Sequence, residues 1–250
     1  MTDTTQPREL LKQTPAEILA KLPGMGRIML SARAGGATHE RMGVVEKIAV
    51  EGDLVRLSGE MHDSALDLTV ITRLIADRTS KMRERVLPRL ECQNAEGEVL
   101  FSLIGLDGLE PFDQALAGFG SGEALEPVAR EAGMGGSQEV PEGDLGAVTF
   151  AAILRNGAPI AIELRRPGLH QIWSGALPEP KPAMGFVNLM QPDFHLHLRA
   201  GAIAGWQREG EGDQVELHGR DADGVLIGLV LRGSAAAFEG VPSERSGDHG

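Results

Sequence analysis

Short runs in which apolar and polar residues alternate recur along this 250-residue chain, and they constrain its fold more than any other feature. Neighbouring side chains on a β-strand point to opposite faces, so alternation predicts strands with one buried face. Gly, Asp and Asn separate the runs, as they do at hairpin turns. The chain is therefore predicted to be mainly antiparallel β. Clear examples are GRIMLSAR (26–33), DLVRLSGE (53–60), LHQIWSG (169–175) and VELHGR (215–220).

Helix signals are few. Thr14, Pro15 and Glu17 form a capping box with proline at the first helical position, which predicts a short helix that ends near Leu22. LEPFDQALAGF (109–119), with a proline near its start, predicts a second short helix.

Residues 118–146 differ in composition, being rich in Gly, Glu and Pro and poor in large apolar side chains. This composition is typical of a linker, and one weak helix is expected around 124–132. From Ala147 onward the strand-like texture returns, beginning with AVTFAAIL (147–154).

The β-rich stretches before and after this linker follow the same order of motifs, which indicates an internal duplication. In each, a strand meets an acidic turn with glycine and then a second strand: 88–100 corresponds to 214–226, 67–71 to 195–199, and 38–40 to 169–171. Two related sheets would form a cleft between them, a usual place for a ligand. The predicted organisation is a first unit at 23–117, a linker at 118–146, a second unit at 147–237, and terminal segments at 1–22 and 238–250.

The formal net charge of −12 argues against general binding to nucleic acid or to anionic membranes, because both reward clustered Lys and Arg. No apolar run approaches the length of a membrane span, and the N-terminus lacks the apolar core of a signal peptide. A single cysteine, Cys92, excludes an internal disulfide and fits a reducing compartment. We therefore expect a cytoplasmic protein, with Cys92 as a buried strand residue rather than a nucleophile.

Two histidines stand one residue apart in DFHLHLR (193–199). On a strand, His195 and His197 share one face, and Leu196 and Leu198 take the other. Three interpretations are open at this point: ordinary histidines on a polar face, contacts to haem, or ligands of a non-haem metal. A metal would need a third or fourth ligand from elsewhere in the chain.

These motifs follow one another in a known order within two longer segments, LPGMGRIMLSARAGGATHERMGVVEKI (22–48) and IAIELRRPGLHQIWSGALPEPKPAMGFVNLMQPDFHLHLRAGAIAGW (160–206). That order resembles the haem-utilisation proteins of the HemS/ChuX/HutX type, called hemin-degrading or hemin-transport factors. The resemblance covers about 23–106 and 148–234. It implies an α+β fold, mainly antiparallel β, of two related units with few short helices and with haem held between them.

The chain departs from that family at several positions. Long members carry an iron-ligating histidine in the connection before the second unit, whereas residues 118–148 contain no histidine. Thr69 stands where the family has an arginine, and the chain has no tyrosine. His197 occupies a position where the family has histidine, and His195 replaces its asparagine. The resemblance therefore supports the fold and leaves the axial ligand open.

Haem binding calls for a ligand to the iron, such as an imidazole, together with apolar walls and cations for the propionates. From the resemblance we expect His197 or His195 to ligate the iron and Arg199 or Arg73 to meet a propionate. Phe194 and Trp206 are candidate pocket walls, although each is also a candidate core residue. His39, expected at a turn, and His170 are further candidate contacts, with hydrogen bonds to backbone or solvent as the competing interpretation for each.

The expected function is haem binding for uptake, trafficking or storage. The implied partners are haem itself and a haem uptake transporter or haem-degrading enzyme, with no nucleic acid and no membrane insertion, for a monomer or homodimer. Haem degradation is the second function that the resemblance implies. The same residues also fit a non-haem binding or interaction protein on this scaffold, which has lost the haem ligand, or a metal-dependent enzyme that uses the histidine pair.

Overall fold

The structure, a computed structural model, describes residues 6–82, 84–128, 139–210 and 212–243. It confirms the expected fold class, α+β with mainly antiparallel β. The strands before residue 129 are β1 (Arg8–Leu10), β2 (Arg27–Ala34), β3 (Ala37–Val44), β4 (Lys47–Glu51), β5 (Leu54–Ser58), β6 (Asp63–Asp67), β7 (Arg73–Asp77), β8 (Lys81–Met82), β9 (Arg85–Val86), β10 (Arg89–Gln93), β11 (Val99–Gly105) and β12 (Glu123–Ala124). Those after residue 138 are β13 (Ile160–Arg166), β14 (Leu169–Gly175), β15 (Lys181–Ala183), β16 (Phe186–Gln191), β17 (Phe194–Arg199), β18 (Gly205–Glu209), β19 (Gln214–Arg220) and β20 (Leu226–Ser234).

Three α-helices are described: α1 (Pro15–Leu19), α2 (Leu109–Leu116) and α3 (Leu145–Asn156). The capping box predicted for α1 is confirmed, with the Thr14 hydroxyl accepting from the Glu17 N–H and the Glu17 carboxylate accepting from the Thr14 N–H. The helix predicted for 109–119 is confirmed as α2 followed by a 3-10 turn. None of the described helices has the length and apolar character needed to span a bilayer.

Helix α3 corrects the expectation of a strand at 147–154. Asp144 begins the helix by accepting a hydrogen bond from the Ala147 N–H, and Gly157 ends it in the left-handed conformation. A continuous apolar run has no periodicity that would separate a buried strand from a buried helix. The caps at its two ends are therefore the features that identify the helix. The weak helix expected around 124–132 is not formed at 124–128, and its remaining residues lie outside the described part.

By their internal contacts the residues form two compact units. The first contains the described residues within Met1–Ala32, Glu40–Glu131 and Pro167–His170. The second contains those within Arg33–His39, Ala132–Arg166 and Gln171–Gly250. The domain bounds derived from the sequence stay a prediction.

The internal duplication is visible in the order of strand neighbours. Strands β7-β10-β11-β2-β3 form a set of five neighbours and β6-β5-β4 a set of three. Later in the chain, β18-β19-β20-β13-β14 and β17-β16-β15 repeat the same two sets in the same chain order. Strand β6 therefore corresponds to β17, which corrects the correspondence of 67–71 with 195–199, because β6 ends at Asp67. The hairpin β10–β11 corresponds to β19–β20.

The turns of these two hairpins are closed by the same kind of side-chain hydrogen bond. Aligning these bonds shifts the correspondence predicted from the sequence by one residue. The Asn94 side-chain oxygen accepts from the Glu98 N–H at 2.8 Å, and the Asp221 carboxylate accepts from the Val225 N–H at 2.9 Å. Asn94 therefore matches Asp221, whereas the ungapped correspondence of 88–100 with 214–226 pairs it with Arg220. Asn and Asp are favoured at such turns because their side chains bond to the following backbone.

Cys92 lies fully buried in β10, as expected for a structural strand residue. Its burial raises the pKa of the thiol, and the neighbouring Glu91 charge raises it further. The thiolate, which is the nucleophilic form, is therefore disfavoured.

His62, next to β6, is also fully buried, and its Nε2 lies 3.1 Å from the Gly43 carbonyl. Burial lowers the pKa of His62, and the Arg41 charge lowers it further. Above the ordinary histidine pKa of about 6.5, His62 is neutral in both the folded and the unfolded protein, so the lowered pKa does not change the free energy of unfolding. Below that pH the unfolded chain takes up the proton first, so the free energy of unfolding decreases.

We expect the wild-type protein to lose stability between pH 7.5 and pH 5.5, and His62→Gln to lose less over the same range. One proton of difference between the two states is worth at most about 1.4 kcal/mol per pH unit. Urea denaturation at several pH values measures both slopes. Parallel slopes for the two proteins would show that His62 is not the group responsible.

Candidate functional site

The candidate site lies on a β-hairpin of the second unit, formed by β16 and β17. A two-residue turn, Pro192-Asp193, joins the strands. The register pairs Asn188 with His197 and Met190 with His195. Both histidines are thus set on a regular ladder, one directly across from an amide side chain.

Burial alternates along β17 as the sequence predicts. Phe194, Leu196 and Leu198 are at most 1% exposed, which fixes one face of the strand in the core. The other face carries His195 and His197, both half-buried, and Arg199, which is exposed. Two imidazoles and a guanidinium are therefore brought onto one accessible face.

Asn188 fixes the proton position on His197. The Asn188 amide nitrogen lies 3.0 to 3.4 Å from the carbonyl oxygens of Lys181, Ala183 and Phe186, all of which can only accept. This orientation leaves the Asn188 Oδ1 facing His197 Nδ1, 2.6 Å away. Because an amide oxygen only accepts, Nδ1 is the donor. In the neutral ring the lone pair then lies on Nε2, the nitrogen that can ligate a metal.

The second histidine lies close to the first. The ring centroids of His195 and His197 are 5.8 Å apart, with the ring planes at 72°. Each ring offers a nitrogen within 4.8 Å of a nitrogen of the other. The face therefore presents two neighbouring imidazoles, as the alternation of the strand requires.

His39 has a different environment, within the second unit. It is the third residue of β3, beyond the Gly35-Gly36 turn at which the sequence predicts it, and it is fully buried. Its Nε2 lies 3.1 Å from the Ile162 carbonyl, and its Nδ1 lies 2.7 Å from the Gln171 amide nitrogen. Both ring nitrogens are thus engaged with protein groups, as in a structural histidine.

Phe194 and Trp206 lie in the core. Phe194 stacks on Trp173 with centroids 4.6 Å apart and also contacts the His39 ring. Trp206 is buried, and its indole N–H donates to the Thr149 hydroxyl at 2.9 Å. Phe194 faces away from the two histidines of its own strand.

The remaining sequence candidates, Arg73 and His170, belong to the first unit. Arg73 begins β7 and His170 is the second residue of β14, and both are half-buried.

Asn188 is not among the residues predicted from the sequence. The signal is nevertheless present, because Asn188 and His197 are equidistant from the Pro192-Asp193 turn. A two-residue hairpin turn places such residues opposite each other.

The fold is shared with solved structures. Holo-PhuS, a heme-binding protein from Pseudomonas aeruginosa, superposes with a TM-score of 0.74 at 18% identity, over 95% of this chain and 87% of that chain. ChuS, an E. coli heme oxygenase, superposes with a TM-score of 0.71 at 18% identity, over 95% and 86%. This degree of identity shows a shared fold. No protein family and no curated protein matches the sequence.

We expect NMR of the ¹⁵N-labelled protein to find His197 with its proton on Nδ1 when the ring is neutral. Asn188→Leu removes the acceptor, so a substantial Nε2–H population should replace that single tautomer. Met190→Leu, on the same strand but opposite His195, is the control and should leave the His197 pattern unchanged. An Nε2–H tautomer in the wild type would contradict the assignment.

Proposed function

We propose that this chain is a haem-binding protein that carries or stores haem in the cytoplasm. The observation that carries the proposal is the hydrogen bond from His197 to Asn188, which directs Nε2 of a half-buried imidazole away from its own strand partner. The fold shared with PhuS, called a heme-binding protein, and with ChuS, called a heme oxygenase, supports the same ligand.

The residues present suit haem. His197 would ligate the iron through Nε2, with Asn188 orienting the ring, and His195 would be the second imidazole at the site. When bound, haem would supply an iron centre that accepts an imidazole nitrogen. Metal-ligating histidines commonly donate their other N–H to a protein oxygen, as His197 does here.

Arg199 is the cation that we assign to a propionate. It is exposed at the end of β17 and follows the face of His195 and His197. A guanidinium matches the two oxygens of a carboxylate in a planar, bidentate pair. In a chain with a net charge of −12, such a local cation offsets the general repulsion of an anionic ligand.

We favour a carrier over a degrading enzyme because residues 118–148 lack the histidine by which long relatives hold iron. A carrier exchanges its ligand, so a haem uptake transporter as donor and a haem-degrading enzyme as acceptor are the partners proposed, for a monomer or homodimer. Haem degradation would instead convert the bound haem when a reductant and dioxygen are both supplied, with loss of the Soret band and appearance of a bile-pigment spectrum.

Titration of the purified protein with hemin should shift the Soret band and saturate near one equivalent. His197→Ala should weaken binding at least tenfold and change the spin state seen by EPR, because the proposed iron ligand is lost. Arg199→Ala should weaken binding less and leave the spin state as in the wild type. His218→Ala, a half-buried strand histidine of β19 that contacts Glu216, is the matched control.

Two results would contradict the proposal. One is a hemin spectrum that stays unchanged on addition of the wild-type protein. The other is a His195→Ala, His197→Ala double variant that binds hemin as tightly as the wild type and with the same spin state, since the ligand would then lie elsewhere.

A further inference from the structure

We propose that His195 and His197 form a chelating site for a divalent ion of the late first-row transition series, namely Cu²⁺, Ni²⁺ or Zn²⁺, in the absence of haem. The site uses two residues of the proposed haem site, but it does not depend on haem binding. The ligand would be the aquated ion itself, held by two imidazole nitrogens with water in other coordination positions.

The separation of the two rings suits a shared ion. Imidazole nitrogen lies about 2.0 to 2.1 Å from Zn²⁺, so two nitrogens of a tetrahedral ion are roughly 3.4 Å apart. The nitrogens of His195 and His197 lie within 4.8 Å of each other before any ion is bound. Both side chains are half-buried on a regular strand, and rotation of the His195 ring about its Cβ–Cγ bond can bring its nitrogen closer to His197 without moving the backbone.

The backbone keeps this pair together. Leu196 is fully buried between the two histidines, and Phe194 and Leu198 are buried on either side of them. The strand therefore cannot turn its histidine face away without exposing three large apolar side chains to water. Two ligands are thus preorganised on one element.

Asn188 supplies the outer support that metal-binding histidines usually have. It accepts from His197 Nδ1 and is itself held by three carbonyl oxygens of the β15–β16 hairpin. The lone pair of the neutral ring then lies on Nε2, and the ring orientation is fixed before the ion arrives. Loss of such a partner typically lowers metal affinity by about tenfold to a hundredfold.

The ligand type selects the metal. Imidazole suits Cu²⁺, Ni²⁺ and Zn²⁺, whereas Mg²⁺ and Ca²⁺ prefer carboxylate, carbonyl and water oxygens. The only thiol of the chain, Cys92, is fully buried and cannot act as a soft ligand. Affinity for a nitrogen site rises along the divalent series to Cu²⁺ and falls again at Zn²⁺. We therefore expect Cu²⁺ to bind most tightly and Mg²⁺ not to compete.

The test uses the full-length, haem-free protein after treatment with a chelator. Calorimetric titration with CuCl₂, NiCl₂ and ZnCl₂ should give about one equivalent bound, with Cu²⁺ the tightest. EPR of the Cu²⁺ complex should show hyperfine coupling to imidazole nitrogen. His195→Ala and His197→Ala should each weaken Cu²⁺ binding more than tenfold, and Asn188→Leu should weaken it by about tenfold to a hundredfold.

The controls are His218→Ala and His249→Ala, which should bind Cu²⁺ as the wild type does. The proposal is overturned if wild-type protein binds none of the three ions. It is also overturned if the His195→Ala, His197→Ala double variant keeps the wild-type affinity, or if either control abolishes binding. Thermal melts of each variant establish that it is folded, and the EPR coupling of the wild type does not depend on any variant. Since no haem is added, failure here would leave the haem proposal untouched, and failure to bind hemin would leave this one untouched.

Discussion

The burial of Phe194, Leu196 and Leu198 is the constraint on which the candidate site depends. These side chains are at most 1% exposed, and because successive residues of a strand point to opposite faces, their burial determines where the next residues point. A shift of one residue in register would expose all three and bury two imidazoles and a guanidinium. The accessible histidine pair is therefore a consequence of core packing, obtained without any special loop or strained backbone on the strand itself.

Hairpin register adds the second element of the site. Asn188 lies across the ladder from His197, and its amide is oriented by carbonyl groups at the β15–β16 connection. The hydrogen bond to His197 Nδ1 converts a ring with two possible tautomers into one with a defined acceptor nitrogen. The ability of His197 to ligate a metal through Nε2 thus depends on Asn188, an uncharged residue whose amide N–H groups all donate to backbone carbonyls.

Much of the fold follows from local signals in the sequence. Alternation identifies β17 and its two faces, and the capping box identifies α1. Periodicity does not predict the helix at 147–154, because this run is continuously apolar. Its helical state depends on the caps at Asp144 and Gly157. The sequence predicts His39 at a turn because Gly35-Gly36 precedes it. Its burial depends on Ile162 and Gln171, which are more than a hundred residues away in sequence and are brought close only by the fold.

Comparison of the duplicated strands shows why the site belongs to one repeat. Strand β6 corresponds to β17 and also buries alternate residues, Ser64 and Leu66, but its other face carries Asp63, Ala65 and Asp67 in place of imidazoles. Asp67 is moreover engaged with Thr69, whose hydroxyl and N–H both donate to its Oδ1. The two equivalent strands of the duplication therefore present different chemistry: the accessible face of β17 carries two imidazoles and a guanidinium, whereas that of β6 carries two carboxylates.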